Sequence, residues 1–209
     1  IEDIIAKNPQ PKFNIISSTR KSLNGRLINK KIEESPQMKN HKYDQIKDLK
    51  YEINNIRCDL RDTSTNLVFS NGDIGSDIMI IGDVPGNKDD KTGIPFSGPE
   101  GQILLNILNF IGIEKKDCYF TNLIFWRPPG NRTPNTEEIN TCLPFTKKHI
   151  EIINPILLIL LGGLTARLIL NLSDGIKDLR GKDLKYKTSN NVINTRVLFH
   201  PVSYTHLRA

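Results

Sequence analysis

Asp77-Ile78-Met79-Ile80-Ile81-Gly82-Asp83-Val84-Pro85-Gly86 reads as a buried β-strand that runs into a binding loop. A short apolar run without polar alternation suits a strand covered on both faces, and the glycines and proline after it punctuate a loop. Gly93-Ile94-Pro95-Phe96-Ser97-Gly98 continues that loop and leads into an apolar helical run. The loop carries Asp83, Asp89 and Phe96, so carboxylates stand near an aromatic ring, an arrangement suited to chemistry on a flat group. It lacks the Lys-Ser/Thr ending of a phosphate-binding P-loop and the glycine spacing of a dinucleotide fold.

Outward from this stretch, apolar runs recur at Tyr119 to Ile124, Ile156 to Leu161 and Arg196 to Phe199. Helical patterns lie between them. Leu104, Ile107, Leu108 and Ile111 follow helical spacing, with Pro99 suited to a first turn. Asn135 and Glu138 form a capping pair for a helix whose buried side carries Ile139, Leu143, Ile150 and Ile153. This alternation predicts an α/β fold with a central four-stranded, mainly parallel sheet and right-handed crossovers. Ligands of such sheets bind beyond the carboxyl ends of the strands, where Asp83, Asn122 and His200 all fall. Each has a plainer alternative: Asp83 as a turn cap, Asn122 as a partner for loop backbone, His200 as an ordinary strand-end histidine.

The 209 residues carry a net charge of +6 and a pI near 9.2, and predict one main domain. No apolar run is long enough to span a bilayer, so no membrane partner is expected. Cys58, Cys118 and Cys142 are an odd, widely spaced set without a signal-peptide pattern, which predicts a reducing cytoplasm rather than a disulfide framework. Residues 1–50, rich in Lys, Asn, Ile and Gln, are read as a poorly structured or helical extension to a domain at 51–209. Their charge is read as a solvated face, with nucleic-acid contact as the alternative.

Gly82-Asp83-Val84-Pro85-Gly86, Gly93-Ile94-Pro95-Phe96, Thr121-Asn122, Arg127-Pro128-Pro129-Gly130-Asn131-Arg132 and His200-Pro201 stand in the order found in family 4 uracil-DNA glycosylases. The chain resembles that family over residues 55–201. The resemblance implies a three-layer α/β/α sandwich and an enzyme that hydrolyses the N-glycosidic bond of flipped-out uracil in DNA. The product is an abasic site, the start of base-excision repair. The same resemblance makes Phe96 the stacking ring, with a core phenylalanine as the alternative, and Asn122 the reader of the uracil edge. It makes His200 the donor to the leaving base, and Asp83, Asp89 and Asn131 the residues around the attacking water. Both aspartates stand where glutamate is usual. A side chain one methylene shorter displaces its carboxylate by ~1 Å, a misplacement that can cost about a hundredfold in rate. The alternative function is a catalytically silent uracil- or DNA-binding protein of the same fold.

Members of the family commonly hold a [4Fe-4S] cluster on four cysteines. Here Cys58 and Cys142 match two of those positions, while Asn55 and Trp126 stand at the other two. No cofactor or metal is therefore expected. Trp126 is read as filling the vacated space, with stacking on DNA as the alternative, and Cys118 as a strand residue. Arg127 and Arg132 are expected to contact DNA phosphates, with Arg180, Lys182 and the Gly162-Gly163 turn as further candidates. After His200-Pro201, Leu207 and Arg208 stand for the family's minor-groove wedge and phosphate contact in a shifted register, and the chain is expected to be truncated or altered at its C-terminus. The expected partner is uracil-containing DNA, bound by a monomer.

Overall fold

In the computed structural model, which describes residues 36–200, the described residues open with α1 (Pro36–Asn55) and a short α2 (Asp59–Thr63). β1 (Asn71–Gly72) and β2 (Ile78–Gly82) follow, then α3 (Asn87–Thr92), α4 (Pro99–Phe110) and β3 (Cys118–Asn122). α5 (Thr136–Ile153) leads to β4 (Leu157–Leu161), α6 (Gly163–Leu170), α7 (Ile176–Leu179), β5 (Leu184–Lys187) and β6 (Val192–Leu198).

The strands form one sheet in the order β1-β3-β2-β4-β6-β5. The four expected strands are its parallel centre, β3-β2-β4-β6. The sheet is nevertheless six-stranded, because β1 and β5 pair antiparallel at its two edges. Neither edge has an apolar run to betray it: β1 has two residues, and β5 reads Leu-Lys-Tyr-Lys, half-buried and exposed in turn.

Successive residues of the central strands enter different cores, as the two-residue pleat requires. Met79, Ile81, Tyr119, Leu158 and Leu160 join one cluster, with Leu49, Leu60, Ile150 and Ile153 from the helices. Ile80, Cys118, Phe120, Ile159 and Leu161 join another, closed by Leu104 and Leu108 of α4. Both faces are covered, giving the α/β/α layering.

Helix α1 runs through residue 50, so the expected boundary there falls inside a helix of the domain. Ile46, Leu49 and Ile53 recur at intervals of three and four and are buried in the larger cluster. Complete burial of Leu49 and Ile53 is worth roughly 1.5–3 kcal/mol apiece. The neighbouring Lys, Asn and Gln residues are exposed and dilute this stripe in the sequence. Lys148 of α5 pairs with Glu52 at 2.8 Å, an exposed contact of small value.

Candidate functional site

The register of β2 against β3 pairs Gly82 with Asn122, so both strands end side by side. Hydrogen bonds from the Leu123 N–H to the Gly82 carbonyl at 2.8 Å and from the Ile124 N–H to the Asp83 carbonyl at 3.1 Å extend that pairing. Phe96 arrives from the loop with φ +56°, a left-handed conformation rare for a bulky residue. Its ring lies against Gly82, with Phe120 behind it at a centroid distance of 5.7 Å. A Cβ on Gly82 would stand 2.6 Å from Asn122 Oδ1 and 2.8 Å from Phe96 Cζ. Only glycine lets the ring and the amide converge there. Gly101 performs the same service behind the loop, since any Cβ on it would collide with the Phe96 carbonyl.

Asn122 is 2% exposed, and its Nδ2 has no hydrogen-bond partner among the described residues. A buried donor left unpaired costs about 1–3 kcal/mol, a cost that an acceptor supplied from outside the protein would remove.

The carboxylates are held in different ways. Asp83 Oδ1 accepts from the Thr165 backbone N–H at 2.9 Å and from its hydroxyl at 2.5 Å, while Oδ2 packs on Gly162. Asp83 thereby occupies the N-terminus of α6, so the Gly162-Gly163 turn expected to take a phosphate already holds a carboxylate. Asp89 accepts from the Ser97 N–H at 2.7 Å, the Ser97 hydroxyl at 2.8 Å and the Gly86 N–H at 3.2 Å. It closes the loop that presents Phe96. Asp90 ties that loop to the Thr65 and Asn66 backbone at 2.8 and 3.2 Å.

His200 follows β6 and is half-buried. Burial lowers its pKa, while the charges of Asp83, Glu100 and Asp89 oppose the shift. Sequence reasoning missed Glu100 and Thr165. The available signals were an acid in the first turn after Pro99 and a hydroxyl two residues beyond Gly163.

Two expected residues are engaged elsewhere. Asn131 sits on an exposed turn at φ +57°, where its Oδ1 accepts from Arg127 Nε at 2.8 Å. Among the described residues it makes no hydrogen bond to Asp83, Asn122 or His200. Arg132 forms a bidentate pair with Glu138, at 2.9 and 2.5 Å. That pairing holds the Glu138 carboxyl below the usual range. Glu138 also accepts from the Asn135 N–H at 2.7 Å while donating its own N–H to Asn135 Oδ1 at 2.8 Å, which completes the expected capping pair. The Arg132 fork is therefore taken up in anchoring the 127–132 loop to α5. Arg180 lies 5.1 Å from the Phe199 ring centroid, next to His200. Leu207 and Arg208 lie outside the described residues.

A cavity of about 380 Å³ opens beside this loop, lined by Gly86, Asp89, Gly98 and Glu100 among others. A larger one, about 840 Å³, lies between α1 and α5 and contains none of the site residues above.

Comparison with known proteins matches residues 69–206 to the uracil DNA glycosylase superfamily. The chain is 33% identical over 165 residues to the type-4 uracil-DNA glycosylase of Archaeoglobus fulgidus, covering 77% of this chain and 83% of that one. The chain belongs to the uracil DNA glycosylase superfamily. The type-4 enzyme of Thermotoga maritima is 37% identical, covering 69% of this chain and 74% of its own. That of Pyrobaculum aerophilum is 32% identical, covering 70% and 77%. These relatives favour an enzyme over the silent binder. No helix among the described residues is long and apolar enough to cross a membrane.

Within the superfamily's fold, the positions that match cluster ligands can be tested against their surroundings. The Cys58 thiol is hydrogen-bonded to Cys142 and to the Leu60 and Arg61 backbone, which lowers its pKa to about 7. Cys142 is pushed up by the same thiol partner and by burial. Trp126 is 2% exposed and packs edge-on against Phe125. Asn55 turns its amide to the Tyr51 carbonyl of its own helix at 2.7 Å. An indole and a helix-bound amide offer iron no thiolate, so this donor set does not fit a four-cysteine cluster. Among the described residues, no group of three or more His, Cys, Asp and Glu side chains is placed to hold a metal ion. Cys118 is a buried strand residue whose thiol burial pushes up to about 12.

Proposed function

We propose that the chain hydrolyses the N-glycosidic bond of uracil in DNA, and the observation that carries this reading is the unpartnered Asn122 amide beside the Phe96 ring. A base must leave the duplex before its glycosidic bond can be reached. The flipped uracil stacks on Phe96, the Asn122 Nδ2 donates to O4, and Oδ1 accepts from N3–H. Cytosine offers the opposite donor and acceptor pattern and would leave this buried amide unpaired, which is a strong basis for rejection.

As the C1′–N1 bond breaks, its electron pair leaves with uracil and negative charge grows toward O2. His200, kept neutral by burial, donates a preorganised N–H to that charge. Positive charge grows on the sugar and faces the acids of the site. Water then bonds to C1′, giving an abasic site. Asp83 and Asp89 act chiefly by position in this scheme: one is pinned on α6, the other shapes the Phe96 loop. Arg127, ordered by Asn131, and Arg180, held over Phe199, are the described cations suited to DNA phosphates. Leu207 as a wedge and Arg208 as a phosphate contact are kept as part of the proposal. The reaction runs without an iron-sulfur cluster, the vacated space being filled by Trp126.

The test is alkali-labile strand cleavage after incubation with duplexes carrying one uracil, cytosine or thymine. Cleavage at uracil alone is expected. A uracil duplex left intact would overturn the proposal.

A further inference from the structure

Glu100 stands in the first turn of α4, on the wall of the cavity it shares with Gly86, Asp89 and Gly98. Its Oε2 bends back over Gly98, to within 2.8 Å of where a Cβ would be. The other carboxylates of this loop are held by hydrogen bonds, Asp89 and Asp90 through both oxygens and Asp83 through Oδ1 alone. Asp89 uses both oxygens on Gly86 and Ser97, Asp90 uses both on Thr65 and Asn66, and Asp83 is anchored between Thr165 and Gly162. Glu100, only half-buried, accepts no hydrogen bond among the described residues.

A general base needs a carboxylate that is near the reacting centre and not already saturated by donors. We infer that Glu100 is the catalytic carboxylate that faces the sugar and receives a proton from the attacking water. This inference rests on the glycosylase reading of the same site. The C1′–N1 bond breaks with its electron pair going to uracil, the water oxygen bonds to C1′, and the water proton passes to Glu100. Glu100 then returns it to the uracil anion or to solvent, so the carboxylate is regenerated and no oxidant or metal enters.

A first-turn acid also complements a helix dipole, so the test separates chemistry from helix stability. Single-turnover uracil release is measured across pH for the full chain, Glu100→Gln and Glu100→Asp, with thermal melting and uracil-DNA affinity alongside. Glu100→Gln is expected to lose about a hundredfold or more in rate and to lose the acidic limb of the pH profile. Affinity should be kept, and Glu100→Asp should recover part of the rate with the limb restored. A Glu100→Gln variant that keeps the parent rate and profile overturns the inference, as does a rate loss that follows a lowered melting temperature with the acidic limb intact. A parent chain that releases no uracil would instead remove the glycosylase reading itself.

Discussion

Gly82→Ala is the smallest change that reaches the centre of the site. Its added carbon would lie 2.6 Å from Asn122 Oδ1 and 2.8 Å from Phe96 Cζ. Carbon atoms in contact prefer about 3.5–4.0 Å, so the ring must retreat by about 1 Å or the amide must turn away. Phe120 blocks part of that retreat, because it stands behind the ring. Displacement of that size costs roughly a hundredfold in the rate of a positioned reaction, and overpacking costs ~1–3 kcal/mol of stability. Single-turnover uracil release measures the first effect and urea denaturation the second. Gly75→Ala is the control, since the nearest atom to its added carbon is 3.4 Å away, and it should behave as the parent does. A Gly82→Ala chain that releases uracil at the parent rate would refute the convergence of Phe96 and Asn122 at this glycine.

Acid should weaken the fold through His149, which is fully buried, stacked on Phe69 and hydrogen-bonded to Tyr119 at 2.7 Å. Burial lowers its pKa from 6.5 to about 3, so the unfolded chain binds the extra proton and stability falls as pH drops through that interval. Each pH unit in the window costs up to ~1.4 kcal/mol, and His149→Gln should remove that slope in urea titrations at several pH values; an unchanged slope would contradict it. The purified chain should carry no stoichiometric iron, and a chelator should leave its melting temperature unchanged. Iron at cluster stoichiometry would overturn the cluster-free reading.

The parallel centre of the fold is legible because Ile78–Gly82 and Leu157–Leu161 are nearly all apolar and are covered on both faces. Strand β5 escapes because only alternate residues meet the core, and α1 because Ile46, Leu49 and Ile53 are thinly spread among lysines and asparagines. At the site, the parallel pairing puts Asn122 at a strand end, Phe96 is named as the stacking ring only through the family resemblance, and the part Gly82 plays between them emerges from the tertiary packing alone. Hydrogen-bond commitments follow no local pattern. That Asp83 is taken by Thr165, 82 residues away, or that Asp89 spends itself on Ser97, depends on tertiary placement. Arg132 is the instructive case. Its partner Glu138 could be recognised as half of a capping pair, but the same carboxylate also binds the arginine fork, which removes Arg132 from the free cations of the loop.

The most direct test of the account is single-turnover release of the free base from otherwise identical duplexes carrying uracil or cytosine, by the full chain and by Asn122→Asp. The substitution removes the buried Nδ2 donor that meets O4 and puts a negative oxygen in its place. The account predicts uracil release by the parent, with cytosine untouched, and a loss of about 10²–10³ in the uracil rate for the variant, the usual consequence of losing one preorganised donor. Equal rates for parent and variant would show that this amide does not read the base, and would contradict the central claim.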